Sequence, residues 1–427
     1  MNCKNLLLIF SVILLFGCTK TQNWNQYLGP ERNNTISGIE ILYEWPEDGP
    51  TKVWEKKLGP GYGGASVFEN EVFILDRKKG ESDILRCLDL ETGEEKWNYE
   101  YEAKGEIPYP GSRIVPCVGK NYVWTVGPHG HMYCIDKKTH QPVWNKDFQK
   151  EFEAKLPNWG FSQSPLIYNK LVIVAPQGKK GGVTAFDKIS GELVWKSRAL
   201  TGHNWHVSPL LASYGEKDQV IIISPYDRKD STYTQEVVSF DANTGEELWV
   251  YHGLESFSTI APPVVVENNK LFLTQCSYKG NYSPISIMLE IELDGEKFNV
   301  KEVFVSEEAG CKMHPGIVID NYVYLNDNGN PNEMVCLSMK GERVWEKKSA
   351  PNFEMGSMIK VGNYIINQNG KNGDIHLIEP SSDGYKELGK ASFFSSKKSQ
   401  AWAPMAFSNG KLLVRDMEKM VCVDLQK

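Results

Sequence analysis

With 427 residues, 41% hydrophobic and 24% charged, the chain can bury a large core and lacks the polar, charge-rich composition of a disordered protein. A net charge of -7 and the absence of a long run of Lys and Arg exclude nucleic acid as the main partner; short pairs such as Lys78-Lys79 and Lys397-Lys398 read as solvated loop charge.

The first residues stand apart from the rest. Lys4 supplies a positive start, Leu6 to Phe16 an apolar run too short to span a bilayer comfortably, and Leu15-Phe16-Gly17-Cys18 follows. This stretch resembles a bacterial lipoprotein signal peptide with its L-x-G-C lipobox. The resemblance implies a signal peptide over residues 1–17 and lipidation of Cys18, which holds the protein to a membrane while the body stays soluble. Thr19 and Lys20 follow in place of an inner-membrane retention Asp, so the expected location is the outer membrane of a Gram-negative cell envelope, on its periplasmic or surface face. Residues 18–51 are then lipid attachment, tether and wrapped lead-in, and residues 52–427 a single folded domain.

Trp24 to Trp54 is rich in Gly and Pro and reads as irregular except at its end, where Lys52 to Leu58 forms a strand carrying Trp54 with no strands before it. Eight units follow. Each opens with a small residue or Pro and an apolar pair, at Ser66, Pro116, Pro165, Pro209, Pro263, Gly316, Ser357 and Pro404. A second strand comes next, short and β-branched or aromatic, as in Tyr122 to Val126 or Tyr364 to Asn367, after turn residues such as Lys120-Asn121 or Gly362-Asn363. The units then run into D-x-x-T/S-G/H-x-x-x-W, clearest at Asp89–Trp97, Asp136–Trp144, Asp187–Trp195 and Asp241–Trp249. Asp and Thr side chains that bond the local backbone, with a Gly that accepts a left-handed conformation, make this a locked hairpin turn. Units five to seven keep the shape with degraded turns, Ser338-Met339-Lys340-Gly341 leading to Trp345 in the sixth.

The eighth unit stops at Val423-Asp424-Leu425, before any Trp strand. The orphan Trp54 strand completes it. The expected fold is therefore all-β, an eight-bladed β-propeller of four-stranded antiparallel blades, closed by pairing of the N- and C-terminal strands.

Seven cysteines remain once Cys3 leaves with the leader and Cys18 is lipidated, and four of them, Cys87, Cys134, Cys336 and Cys422, recur two residues before the turn Asp or its replacement. A residue repeated around a ring is a packing position, and no C-x-x-C or H-x-x-x-H spacing argues for a metal site.

The repeats resemble the tryptophan-docking motifs of the PQQ-like (pyrroloquinoline-quinone-like) β-propellers, over nearly the whole chain from Trp24 to Leu425. The resemblance implies that Trp54, Trp97, Trp144, Trp195, Trp249 and Trp345 dock one blade on the next. It does not imply the quinone, because that fold is shared by quinoprotein dehydrogenases and by a non-enzymatic lipoprotein subunit of the outer-membrane barrel-assembly machinery.

Function must come from a site, and the residues just before each inner strand ring one mouth of the channel. Three and two positions back, these include Arg113, Ser162, Gln163, His206, His314, Glu354 and Trp402, with Trp159, His203 and Trp205 nearby. An Arg, several His, a Glu, a Gln and aromatic platforms suit a small anionic or aromatic ligand. The expected role is a monomeric envelope module that binds a ligand or a protein partner. The alternative is a quinoprotein oxidoreductase using PQQ with Ca2+ held by oxygens of Asn204, Asn352 and Glu354, although no Cys-Cys pair and no Asp at the mouth support it. A third option is a polysaccharide-active enzyme in which Arg113 neutralises a uronate carboxylate and His206 or His314 acts as base.

Overall fold

The computed structural model describes residues 22–200, 206–225, 234–255, 259–267, 269–278, 282–329, 331–394 and 400–427. Eight antiparallel sheets follow one another around a ring, an eight-bladed β-propeller. Blade 1 shows the pattern: an inner strand Ser66–Phe68, two middle strands Glu71–Lys78 and Ser82–Asp89, and an outer strand Glu95–Glu102. Its middle strands are buried almost throughout, because neighbouring blades cover both faces, whereas the outer strand alternates between exposed and half-buried positions down to Tyr101. That is why the middle strands read as continuous apolar runs and the outer ones do not.

Blade 8 holds the ring together. The N-terminal strand Lys52–Lys57 pairs antiparallel with Lys419–Asp424, placing Trp54 opposite Cys422, and Lys411–Arg415 and Ala406–Ser408 complete the sheet. The core around this clasp is continuous from Trp24 and Trp54 through blades 1, 7 and 8. Blade 6 departs from the expected pattern. Ile317–Ile319, Tyr322–Asn326 and Met334–Ser338 are regular strands, but the fourth place is taken by an irregular segment joined through a single Leu337–Arg343 bridge. Trp345 therefore does not lie in a strand.

The locked turn takes one geometry at Asp89, Asp136, Asp187 and Asp241. Each carboxylate accepts the backbone N–H groups two and three residues on, at 2.8–3.0 Å. The residue four on donates its own N–H back to the Asp carbonyl, with φ of 71° at Gly93, 73° at Gly191 and 74° at Gly245. His140 takes the same place at φ 59°. Space also calls for Gly here: a Cβ at Gly93 or Gly191 would stand 2.6 Å from the indole of Trp54 or Trp144 of the preceding blade, and one at Gly245 would meet Trp195.

The indole N–H groups close the same contact. Trp54, Trp144 and Trp195 donate to the carbonyls of Leu90, Lys188 and Ala242, each the residue after the next blade's turn Asp, at 2.8, 3.3 and 3.1 Å. Trp345 does likewise to Ser381 O at 2.9 Å, and Trp97 lies flat on His140 with centroids 4.7 Å apart. Trp249 breaks the rule. Its N–H turns to Gln219 Oε1 of its own blade at 2.8 Å, and nothing lies within 4 Å of a Cβ built on the following turn's Gly295. All seven cysteines among the described residues are free and buried.

The lead-in is threaded as well as wrapped. Trp24 exchanges two backbone hydrogen bonds with Val67 of blade 1, Asn25 O accepts Val118 N of blade 2, and Arg32 reaches Ile167 O of blade 3. Thr35–Ile36 then adds as a parallel strand to the inner strand Met358–Val361 of blade 7. Blades 3 and 7 face each other across an eight-membered ring, so this segment crosses the axis. Below it, Gln22 and Asn23 bond Asn409, Ser408 and Glu69 at the Asp-turn end of the blades, opposite the inner-strand starts.

Candidate functional site

The inner-strand starts converge on a cavity of about 150 Å³ at the channel mouth. Its floor is Tyr27, which the threaded lead-in pushes up the axis; Tyr27, Ser164 and Ser208 also line a smaller cavity beneath, next to Arg32. The mouth is therefore a blind pocket and not the opening of a pore.

Its walls are aromatic. Tyr62 stacks on Trp402 with centroids 5.3 Å apart, and Trp159 stacks on His206 at 5.1 Å. Tyr109 bridges the two pairs, edge-on to Tyr62 at 6.2 Å and to Trp159 at 6.3 Å. Arg113 lies over the Tyr62 ring, 5.8 Å from its centroid, in cation–π geometry. The backbone fixes its guanidinium: Nη1 donates to Gly111 O at 2.8 Å, and Nη2 to Pro108 O at 2.6 Å and to Tyr109 O. No carboxylate contacts it among the described residues, and burial brings its pKa down to about 10, which leaves it charged at neutral pH.

Lys312 adds a second cation to the lining, and among the described lining residues no Asp or Glu offsets either one. The two histidines are neutral. Burial, then the charge of Arg113, lowers His206 to about 3, and burial lowers His314 to about 4. Ser162 Oγ donates to Gly160 O at 3.2 Å, so at 2.9 Å it accepts the Nδ1–H of His206, which leaves Nε2 as a bare acceptor with no partner. His314 uses its Nε2–H on Trp402 O at 2.9 Å.

Of the residues expected at the mouth, Arg113, Trp159, His206, His314 and Trp402 line the pocket together. Gln163 does not: it is buried behind the wall, where Nε2 donates to Val207 O at 3.0 Å and joins blade 3 to blade 4. Nor does Glu354, which sits in a left-handed conformation at φ 52°, its N–H bonded to Asn352 Oδ1 at 2.6 Å and its carboxylate facing Asn352 Nδ2 at 3.4 Å. A local Asx turn, invisible to counting back from the strand, rotates it out. Trp205, with His203 and Asn204, lies outside the described residues, as do Cys18 and the leader.

Sequence reasoning missed Tyr27, Tyr62, Tyr109 and Lys312. Tyr62 lies four positions before Ser66, one beyond the window counted, and Lys312 lies four positions before Gly316, likewise one beyond it. Tyr109 was marked only by its Gly/Pro-rich loop, and Tyr27 by nothing, because its place depends on the threading.

Residues 80–347, more than half of the chain, match the family profile described as outer membrane protein assembly factor BamB, of the PQQ-like repeat type. The chain belongs to this family. No curated protein sequence matches it. Among solved structures it is similar to BamB from Moraxella catarrhalis, at 16% identity and a TM-score of 0.58, covering 88% of this chain and 97% of that one. It is also similar to quinohemoprotein alcohol dehydrogenase from Comamonas testosteroni, at 12% identity and a TM-score of 0.65, covering 95% of this chain and 81% of that one. At such identities the likeness shows the fold.

Whether the residues fit a Ca2+-held quinone can be tested on the donor set. Ca2+ asks for six to eight oxygen ligands rich in carboxylate. The described lining offers no carboxylate, Glu354 is turned away, and no cluster of three or more His, Cys, Asp or Glu side chains among the described residues is placed to hold a metal ion. The described residues do not fit that group.

Proposed function

We propose that the protein is a lipid-anchored cell-envelope propeller that acts as a binding module, taking a small anionic ligand in the blind pocket at its channel mouth. The observation that carries this reading is the charge of the lining: Arg113 and Lys312 stand among five aromatic rings, with no Asp or Glu among the described lining residues. Two uncompensated cations in a recessed, partly apolar site favour an anion, and the aromatic walls favour a ring-shaped body. Membership of the BamB family supports an envelope location and leaves room for a protein partner at the outer faces of the blades.

The anchor sets the orientation. Gln22 and Asn23 leave from the Asp-turn face, and the few residues back to Cys18 reach at most about 14 Å, so lipid on Cys18 places that face at the membrane and the pocket away from it. Cys18→Ser should move the protein from the membrane to the soluble fraction. Native mass spectrometry of protein purified from its own envelope should show an added small-molecule mass that Arg113→Met removes. A mature mass with nothing bound, from freshly isolated membranes, would count against a binding role.

A further inference from the structure

We infer that the ligand of the mouth pocket is an acidic sugar, a pyranose ring bearing a carboxylate, held without turnover. The inference rests on the binding reading above and concerns what occupies the same pocket. A recess of about 150 Å³ is on the scale of a single small ring, and because it opens at the channel mouth, ring substituents can extend outward from it. The question is what kind of ring, and the polar groups decide it.

A flat arene has an apolar edge and would leave them unmatched. His206 Nε2 is a buried acceptor whose tautomer is fixed by Ser162, so its partner must donate an O–H or N–H. Ser164 Oγ and Ser208 Oγ each accept one backbone N–H, from Val115 at 3.0 Å and Ser164 at 2.9 Å, and each keeps its own proton for an acceptor in the pocket. Arg113 has given three of its five N–H donors to backbone carbonyls and keeps two. The ligand must therefore offer donors and acceptors around its rim, a negative charge at one point, and an apolar face for the Tyr62–Trp402 and Trp159–His206 stacks.

A pyranose meets these demands together. Its axial C–H bonds form an apolar face, its hydroxyls both donate and accept, and a uronate carboxylate answers Arg113 and Lys312. Leaving a buried polar group unpaired weakens binding by about tenfold or more, so the rim discriminates sugar from arene as strongly as the charge discriminates acid from neutral.

The test is a tryptophan-fluorescence and calorimetric titration of the full chain with D-glucuronate, D-galacturonate and D-mannuronate and their short oligomers, against D-glucose and benzoate. At least one uronate should saturate, with glucose and benzoate each weaker by about tenfold or more. Arg113→Met should erase the preference for acid over neutral sugar. Tyr109→Ala, at an exposed loop position where folding is not at stake, should weaken the uronate several-fold. No saturation by any uronate to about 10 mM overturns the assignment. If benzoate saturates instead, the binding role survives and the sugar falls; if neither saturates and native masses are also bare, both fall. Glucose binding as well as glucuronate, or release of an unsaturated or hydrolysed product, would likewise overturn it.

Discussion

The two pocket histidines, His206 and His314, are legible in the sequence as residue types and not as charge states. Counting back from each inner strand places them at the mouth; it does not reveal that both are buried and neutral, with pKa values lowered to about 3 and about 4. In the unfolded chain a His titrates near 6.5. Because the folded values lie below this, the unfolded state binds more protons between the two. The stability from neutral burial is full above about pH 6.5 and is lost as pH falls toward 3–4, by at most about 1.4 kcal/mol per pH unit for each His. Urea titrations at stepped pH should show this slope, and it should become shallower in His314→Gln. A flat profile between pH 6.5 and 4.5 would mean that these rings are solvated.

Among the elements, repetition made the blades readable. The Asp turn recurs because one geometry solves one problem, reversing the chain while presenting a flat, Cβ-free surface to the neighbour's Trp. Where the sequence breaks the repeat, legibility stops. Trp249 fits the motif and yet bonds within its own blade, to the side-chain oxygen of Gln219. Trp345 keeps the contact and loses the strand. The ring closure was readable from the surplus strand at one end and the missing one at the other. Removing Met417 to Lys427 takes away Lys419–Asp424, the strand between Lys52–Lys57 and Lys411–Arg415, and splits the core shared by blades 1, 7 and 8. Burial of Trp54 alone contributes about 2–3 kcal/mol, against a total stability of about 5–15 kcal/mol. The truncated chain should show no cooperative thermal transition by circular dichroism; one matching the intact protein would place the closure elsewhere.

Across the whole molecule, the pocket was half readable. Its wall comes from repeat positions, which a period reveals, and its floor from a segment outside the repeat, which a period cannot. Trp24 to Ile36 touches blades 1, 2, 3 and 7, the last through Asn34 and Lys360, which are more than 300 positions apart in sequence. Contacts that distant leave no local signature. They arise only when the ring exists to receive them.

That threading has a consequence for the order of events. The lead-in leaves the ribosome before any blade, but its partners include the seventh, so it must wait through the synthesis of more than three-quarters of the chain for its last contact. Loop-closure entropy favours assembling the local meanders first. In refolding followed by pulsed hydrogen exchange, Lys360 and Gly362, whose N–H groups bond Asn34 and Ile36, should gain protection after the middle strands of blades 1 to 4. The pocket then acquires its floor as the final act of folding, and a chain caught short of that step is a nearly complete ring with an open bore.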